Sequence, residues 1–234
     1  MSRRDKPEKP LRARTPRVRA RRIRGADEAG SSTLRMRILD GASDAFGELG
    51  YADTRVEDIL KAANVSRPSF YKFFRNKEEA FNALAESTMF SLVQMVRGSV
   101  TQTTDPVEKL ERGLETYLRW RVSTGAFGRV LEAEARNPGT FASRQREAVL
   151  ENVMALFESE VTTAQSVGLD SLTYVGLVAA LEAIGNSLIV RVNPSEQDLA
   201  RRKDVMMRIL LGALSPHNPW DRRRAARDKD RAEG

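Results

Sequence analysis

The chain has 234 residues, 41% hydrophobic and 30% charged, with a formal net charge of +7, no cysteine and a single histidine. That length suits one domain, or a small domain fused to a larger one. The lack of cysteine excludes disulfides, thiolate metal sites and a cysteine nucleophile, and His217, in the turn-like SPHNP, reads as a solvated loop residue.

The positive charge is concentrated at the ends. Residues 1–24 hold 11 Arg and Lys against Asp5 and Glu8, residues 221–234 hold six against four, and the body between them holds 22 against 26. Residues 1–30 are rich in Arg and Pro and too poor in large apolar side chains to pack a core, so they read as a disordered arm. Its alternating Arg12, Arg14, Arg17, Arg19, Arg21, Arg22 and Arg24 resemble arms that enter a DNA minor groove. The other reading is a solubilising tail that binds nucleic acid without sequence preference. No apolar stretch of the secretory kind follows the arm. The longest apolar run, 175–190, is broken by Glu182 and Asn186 and is too short and polar to span a bilayer. A cytoplasmic protein with no membrane partner is expected.

In chain order, a first helix is expected over 32–49, where Ile38, Leu39, Ala42, Ala45 and Phe46 share one face. Thr54 reads as the N-cap of a second, over 55–62, with Glu57 completing a capping box. Val56, Ile59, Leu60 and Ala63 form its apolar face. Asn64 suits the left-handed backbone that ends a helix. Ser66 then caps a third helix over 66–73, with Pro68 in its first turn. Asn76 caps a fourth, over 77–101, with Glu79 at its third position. Two short helices joined by an Asn-containing turn make a helix-turn-helix, whose second helix enters the major groove. DNA is therefore the expected partner.

The order Ile38-Leu39, Ala42, Ala45-Phe46, Gly50-Tyr51, Thr54, Val65-Ser66, Ser69-Phe70-Tyr71, Phe73-Phe74, Asn76-Lys77-Glu78 resembles the DNA-binding domain of the TetR family of bacterial transcriptional regulators. The resemblance covers residues 35–80, about a fifth of the chain. Asn64 stands where the family usually has Gly, and both tolerate positive φ. Ala80 stands where Leu is usual, and Phe81 is expected to supply the missing bulk. The resemblance implies an all-α protein of about nine helices. Its parts would be a helix-turn-helix domain over 31–76, a larger helical ligand-binding and dimerisation domain over 77–215, and a charged tail over 216–234. It further implies a homodimer on a palindromic operator.

Within the third helix, Arg67 suits a guanine edge, Pro68 and Ser69 a thymine methyl, and Tyr71 and Lys72 phosphates or base edges. By resemblance, Thr54, Arg55, Tyr71 and Lys77 are expected to contact the DNA backbone. Lys77 adds its charge to the positive end of the fourth helix. The alternative is that Tyr71 packs in the small domain's core and Lys72 is simply solvated.

Beyond residue 101 the pattern stays helical, without strand alternation or repeats. Asp105-Pro106 opens a fifth helix to about 122. A sixth runs over 126–136, until Asn137-Pro138-Gly139, and a seventh over 140–165. Asp170 caps an eighth to about 192, and Asn193-Pro194 opens a ninth to about 214. Phe90, Met95, Tyr117, Trp120, Phe127, Met154 and Phe157 suit either a pocket or an ordinary core. Tyr117, Trp120 and Arg121 are close in sequence but point in different directions. Glu182 and Asn186 form an i,i+4 pair on the most apolar helix and need partners. They orient a ligand's polar end, satisfy each other, or mark a dimer seam. A mostly apolar pocket with few polar anchors favours a lipophilic or aromatic small molecule.

Gly176, Ala179, Ala180, Ala183 and Gly185 let helices approach closely. By resemblance the dimer is a four-helix bundle made from the last two helices of each chain, whereas pattern alone also allows the eighth helix to be central in its own domain. The reading is a homodimeric repressor released from its operator by a ligand. Its rival is an effector-independent regulator or activator whose larger domain dimerises or binds a protein. Enzyme chemistry finds almost no support, with no Gly-rich phosphate loop and no metal-ligand spacing, and no cofactor is expected.

Overall fold

A computed structural model describes residues 18–165, 171–189 and 194–214. Among them are nine α-helices and no strand: α1 (Val18–Asp53), α2 (Val56–Ala63), α3 (Arg67–Tyr71), α4 (Lys77–Val100), α5 (Pro106–Ser123), α6 (Gly125–Ala135), α7 (Phe141–Gln165), α8 (Ser171–Ile189) and α9 (Glu196–Leu214). The all-α expectation holds. Arg12, Arg14, Arg17, the Asp170 and Asn193 caps and His217 lie outside the described residues.

Helix α1 starts at Val18 rather than near residue 32. The last proline of the arm is Pro16, and the Arg- and Ala-rich stretch after it contains good helix formers. The helix is interrupted at Gly50, whose φ of 81° and ψ of 168° suit glycine alone. Ile38, Ala42 and Phe46 are fully buried, as the spacing predicts.

Thr54 does not cap α2. The N-cap is Arg55, whose backbone N–H donates to Asp58 Oδ2 at 2.8 Å. Thr54 is 1% exposed, and its hydroxyl donates back to the α1 carbonyls of Ala45 and Gly50. Asn64 ends α2 in the left-handed region, φ 50°. Ser66 caps α3 by accepting from Ser69 N, and Asn76 caps α4 by accepting from Glu79 N at 2.8 Å. Asp105 caps α5 through Glu108 N, and α9 begins at Glu196 because Ser195 Oγ accepts from Asp198 N.

The small N-terminal unit buries Ile59 of α2, Phe70 of α3, Phe74, and Ala80, Phe81 and Ala85 of α4 against the apolar face of α1. Phe81 lies edge-on to Phe46, ring centroids 5.1 Å apart, and so fills the space beside the small Ala80. This core does not stop at the end of the unit. Phe127 of α6 packs 5.8 Å from Phe81 and 6.5 Å from Phe46. Gly47 of α1 meets the backbone of α6 directly: a Cβ there would lie 3.0 Å from Ala126 Cβ. A second core joins Leu114 and Leu118 of α5, Leu177 and Leu188 of α8, and Leu199, Met206 and Leu210 of α9. Helix α4 runs from the first core to the larger helical body, with Met89, Leu92 and Val100 buried along its second half.

Candidate functional site

The helix-turn-helix is held by α1. Gly41 allows α1 to touch the end of α2; a Cβ there would sit 2.4 Å from Ala63 N. One turn earlier, Arg37 Nη2 donates to the carbonyls of Ala63 and Asn64 at 3.2 and 2.9 Å. Nothing in the sequence pattern singles out Arg37; only the approach of α1 to the turn gives it this role. Of the residues read as DNA contacts, Arg55, Arg67, Pro68, Tyr71 and Lys72 are exposed and Ser69 is half-buried. Tyr71 leans edge-on against Phe70 yet stays 47% exposed, and Lys72 Nζ lies 5.6 Å from the Phe73 ring. Arg67 forms an ion pair with Glu57 across the turn, both side chains exposed. That pair, rather than a capping box, occupies Glu57, and the hydrogen bond from its own backbone amide, followed by that from Arg67, holds its carboxyl below the usual range.

Two of the expected contacts serve the fold instead. The Thr54 hydroxyl is buried and tied to α1. Lys77 Nζ donates to the carbonyls of Tyr51, Ala52 and Thr54 at 2.8, 2.8 and 2.9 Å and lies 4.9 Å from the Tyr51 ring. An ammonium group has three donors, so Lys77 uses all of them to close the end of α1.

The larger body holds a cavity of about 190 Å³. Met89, Leu92 and Val96 of α4, Leu110 and Leu114 of α5, Leu150 and Val153 of α7, and Val178 and Leu181 of α8 give it apolar walls. Tyr117, Trp120, Arg121 and Glu182 also line it, whereas Asn186 does not. Phe90 and Met95 do not: they point outward from α4, 62% and 42% exposed, on the side away from Met89, Leu92 and Val96. Phe127 is buried between α6 and α1 rather than in the cavity wall. The side chains of Met154 and Phe157 lie outside the described residues.

The polar end of the cavity is a network that periodicity does not reveal. Arg121 Nη2 donates to Glu132 Oε2 at 3.1 Å, and Asn186 Nδ2 donates to Glu132 Oε1 at 2.6 Å. Arg146 Nε donates to Glu182 Oε1 at 2.9 Å, and this hydrogen bond raises the guanidinium above its ordinary value. Glu182 and Asn186 therefore do not satisfy each other; each answers a different helix. Trp120 Nε1 donates to Ser91 Oγ at 3.2 Å, fixing α5 to α4. Burial pushes the Tyr117 hydroxyl up to about 12. Its hydroxyl occupies the space left by Gly185, where a Cβ would lie 2.4 Å away. Gly185 thus faces inward.

The opposite side of α8 is open. Gly176, Ala179 and Ala183 are exposed and Ala180 is half-buried, in line with Leu172 at 79% and Val175 at 59% exposure. Beside it, α9 exposes Val205 and Leu211. Among the described residues no group of three His, Cys, Asp or Glu is arranged to hold a metal, and no helix is long and apolar enough to cross a membrane.

The arrangement defines a class: an all-helical protein with a helix-turn-helix unit packed on a larger helical body that contains a cavity. Residues 38–84 match the family described as bacterial regulatory proteins, tetR family. Over these residues the chain carries the DNA-binding domain of the TetR family. It is 30% identical over 84 residues to the uncharacterized HTH-type transcriptional regulator YhgD of Bacillus subtilis, a match covering 36% of this chain and 44% of that protein. The chain thus spans less than half the length of that relative. Two solved structures share the fold: the fatty acid degradation regulator FadR of Bacillus halodurans, with a TM-score of 0.64, 24% identity and coverage of 75% of this chain and 97% of the other; and FadR of Bacillus subtilis in complex with stearoyl-CoA, with 0.65, 19%, 76% and 98%.

Proposed function

We propose that the chain is a homodimeric transcriptional repressor that reads a palindromic operator and is released by a lipophilic small molecule. The observation that carries this reading is the position of α4. Its first turns bury Ala80, Phe81 and Ala85 in the helix-turn-helix core, and its later turns supply Met89, Leu92 and Val96 to the cavity wall. A molecule that spreads the cavity moves the same helix that carries the reading head. Half-sites about 34–36 Å apart tolerate little change in the separation of two recognition helices. The molecule must bind the shape that fits DNA poorly more tightly than the one that fits well.

Arg55, Arg67, Pro68, Ser69, Tyr71 and Lys72 are the candidate DNA contacts, and the open stripe on α8 with its neighbour α9 is the candidate dimer face. An apolar cavity with one polar end suits a lipophilic ligand, and the stearoyl-CoA complex of the Bacillus subtilis FadR supports an acyl compound. A fully packed interior would have favoured the effector-independent reading. The test is selection of bound fragments from random and genomic DNA at several salt concentrations. A palindromic consensus whose binding is weakened by lipophilic compounds is the expected result. Salt-sensitive binding without a consensus would remove the operator from the reading.

A further inference from the structure

We infer that Glu57 governs the sequence specificity of the recognition helix: it steers Arg67 toward a neutral base edge and away from phosphate. The inference rests on the reading of α2 and α3 as a DNA-binding head and adds a positioning residue to it.

The first observation is that α2 does not use Glu57 as its cap. Asp58 does that work: its Oδ2 accepts from Arg55 N at 2.8 Å. Glu57 is exposed, and its carboxylate crosses the turn to the Arg67 guanidinium. The hydrogen bond from its own backbone amide, then that from Arg67, lowers its carboxyl from the ordinary value, so it stays charged at neutral pH. The second observation is where Arg67 stands. It is the first residue of α3, a helix with no acidic residue of its own. Ser66 before it accepts from Ser69 N at 3.3 Å, and Arg37 holds the turn behind it through the Asn64 carbonyl. The backbone that carries Arg67 is thus fixed from two sides, and Glu57 holds the far end of the side chain. A long side chain held at both ends loses less freedom when it docks.

The third observation concerns donors and charge. A guanidinium has five N–H donors, and Glu57 Oε1 engages Arg67 through Nη2. A guanine edge offers two neutral acceptors, O6 and N7, so donors remain for the base while Glu57 keeps its hold. A phosphate differs because it is charged. Bonded to the same guanidinium, it would lie close to the Glu57 carboxylate, and like charges at such separations repel. Guanine meets no such penalty. On DNA that lacks the right base, Arg67 is therefore discouraged from settling on the backbone. Specificity against random sequence rises through this repulsion, without an added attractive contact.

The test is sequence selection by the full chain from a random duplex library, with affinity for a random-sequence duplex measured beside it. Arg67→Ala should relax one position of each half-site. Glu57→Gln should relax that same position, lowering the preference there by roughly three- to tenfold, and should tighten binding to the random duplex by a similar factor. The urea midpoint of Glu57→Gln should match that of the unsubstituted chain, because both side chains of the pair are exposed. A role confined to helix stability would instead move the midpoint and leave base choice alone. If Glu57→Gln keeps both the consensus and the random-duplex affinity, or relaxes a position that Arg67→Ala does not touch, the inference is overturned and the operator reading stands. Absence of any consensus with the unsubstituted chain would overturn both.

Discussion

Arg37 Nη2 donates to the Asn64 carbonyl at 2.9 Å, so the middle of α1 holds the one left-handed non-glycine residue among those described. The turn between α2 and α3 is thus fixed from outside as well as by its own backbone, in which Val65 N donates to Leu60 O at 3.1 Å. Arg37→Ala should lower stability by about 1 kcal/mol, measured by urea unfolding. Amide exchange at Val65 should quicken by more than this global loss accounts for. Exchange that follows global stability alone would assign the turn's rigidity to Asn64.

Gly41 and Gly98 make a matched pair. A Cβ at Gly41 collides with the backbone of Ala63, while one at Gly98 meets nothing within 4 Å. Gly41→Ala should destabilise the chain by about 1–3 kcal/mol through overpacking. Gly98→Ala, inside α4, should stabilise it by about 0.5–1 kcal/mol. Thermal unfolding of the two variants checks the contrast in sign.

Lys77 and Lys72 separate folding from DNA affinity. Because Lys77 closes the end of α1 with three hydrogen bonds, Lys77→Met should cost about 2 kcal/mol of stability. The salt dependence of DNA binding by the folded fraction should stay the same. Lys72→Ala should leave stability intact and reduce the slope of log affinity against log salt by about one. A reduced slope in the Lys77 variant would return that residue to the DNA interface.

Tyr117 should make the fold sensitive to alkali. Its folded value is pushed up to about 12 from 10.0 by burial. The folded state therefore keeps a proton that the unfolded state loses as pH rises above 10, and the contribution is fully present below that pH. Stability should fall by about 1.4 kcal/mol per pH unit from this group between about 10 and 12. Tyr117→Phe should remove that part of the decline, which denaturant unfolding at pH 9 and 11 would reveal. A decline of the same size in the variant would locate the alkaline sensitivity elsewhere.

The open face of α8 predicts the assembly state. Ala179→Arg puts a long cation in the middle of the exposed Leu172, Val175, Gly176 and Ala183 stripe. It should convert a dimer to a monomer by sedimentation and lower operator affinity, with helical content unchanged. A variant that still sediments as a dimer would move the interface off this face.

The helices were readable because their signals are local. Ser66, Asn76 and Asp105 are capping residues within three positions of the groups they satisfy, and Asn64 marks a backbone conformation by its own nature. The apolar face of α1 followed from spacing alone. What sequence could not supply were relations across long separations. Glu132 and Asn186 are 54 residues apart, and Arg146 and Glu182 are 36 apart. Thr54 looked like a cap because hydroxyl residues before helices usually are, but a buried hydroxyl takes whichever carbonyl lies nearest, here that of α1. Phe90 and Met95 have the chemistry of pocket residues, but their phase on α4 sets them apart from Met89, Leu92 and Val96. Phe127 carried an aromatic signal that was correct about burial and silent about its neighbours.

The position of Phe127 bears on how such proteins can be recombined. An excised segment ending at α4 would leave the edges of Phe46 and Phe81 facing water, where the α6 ring normally covers them. Grafting this reading head onto another body would require carrying along the matching surface of α6, Ala126 and Phe127 included, or rebuilding the pocket for it. Chimeras joined at the start of α4 should consequently express poorly unless that patch is transplanted too, so the seam visible in the sequence is not the place where the molecule can be cut.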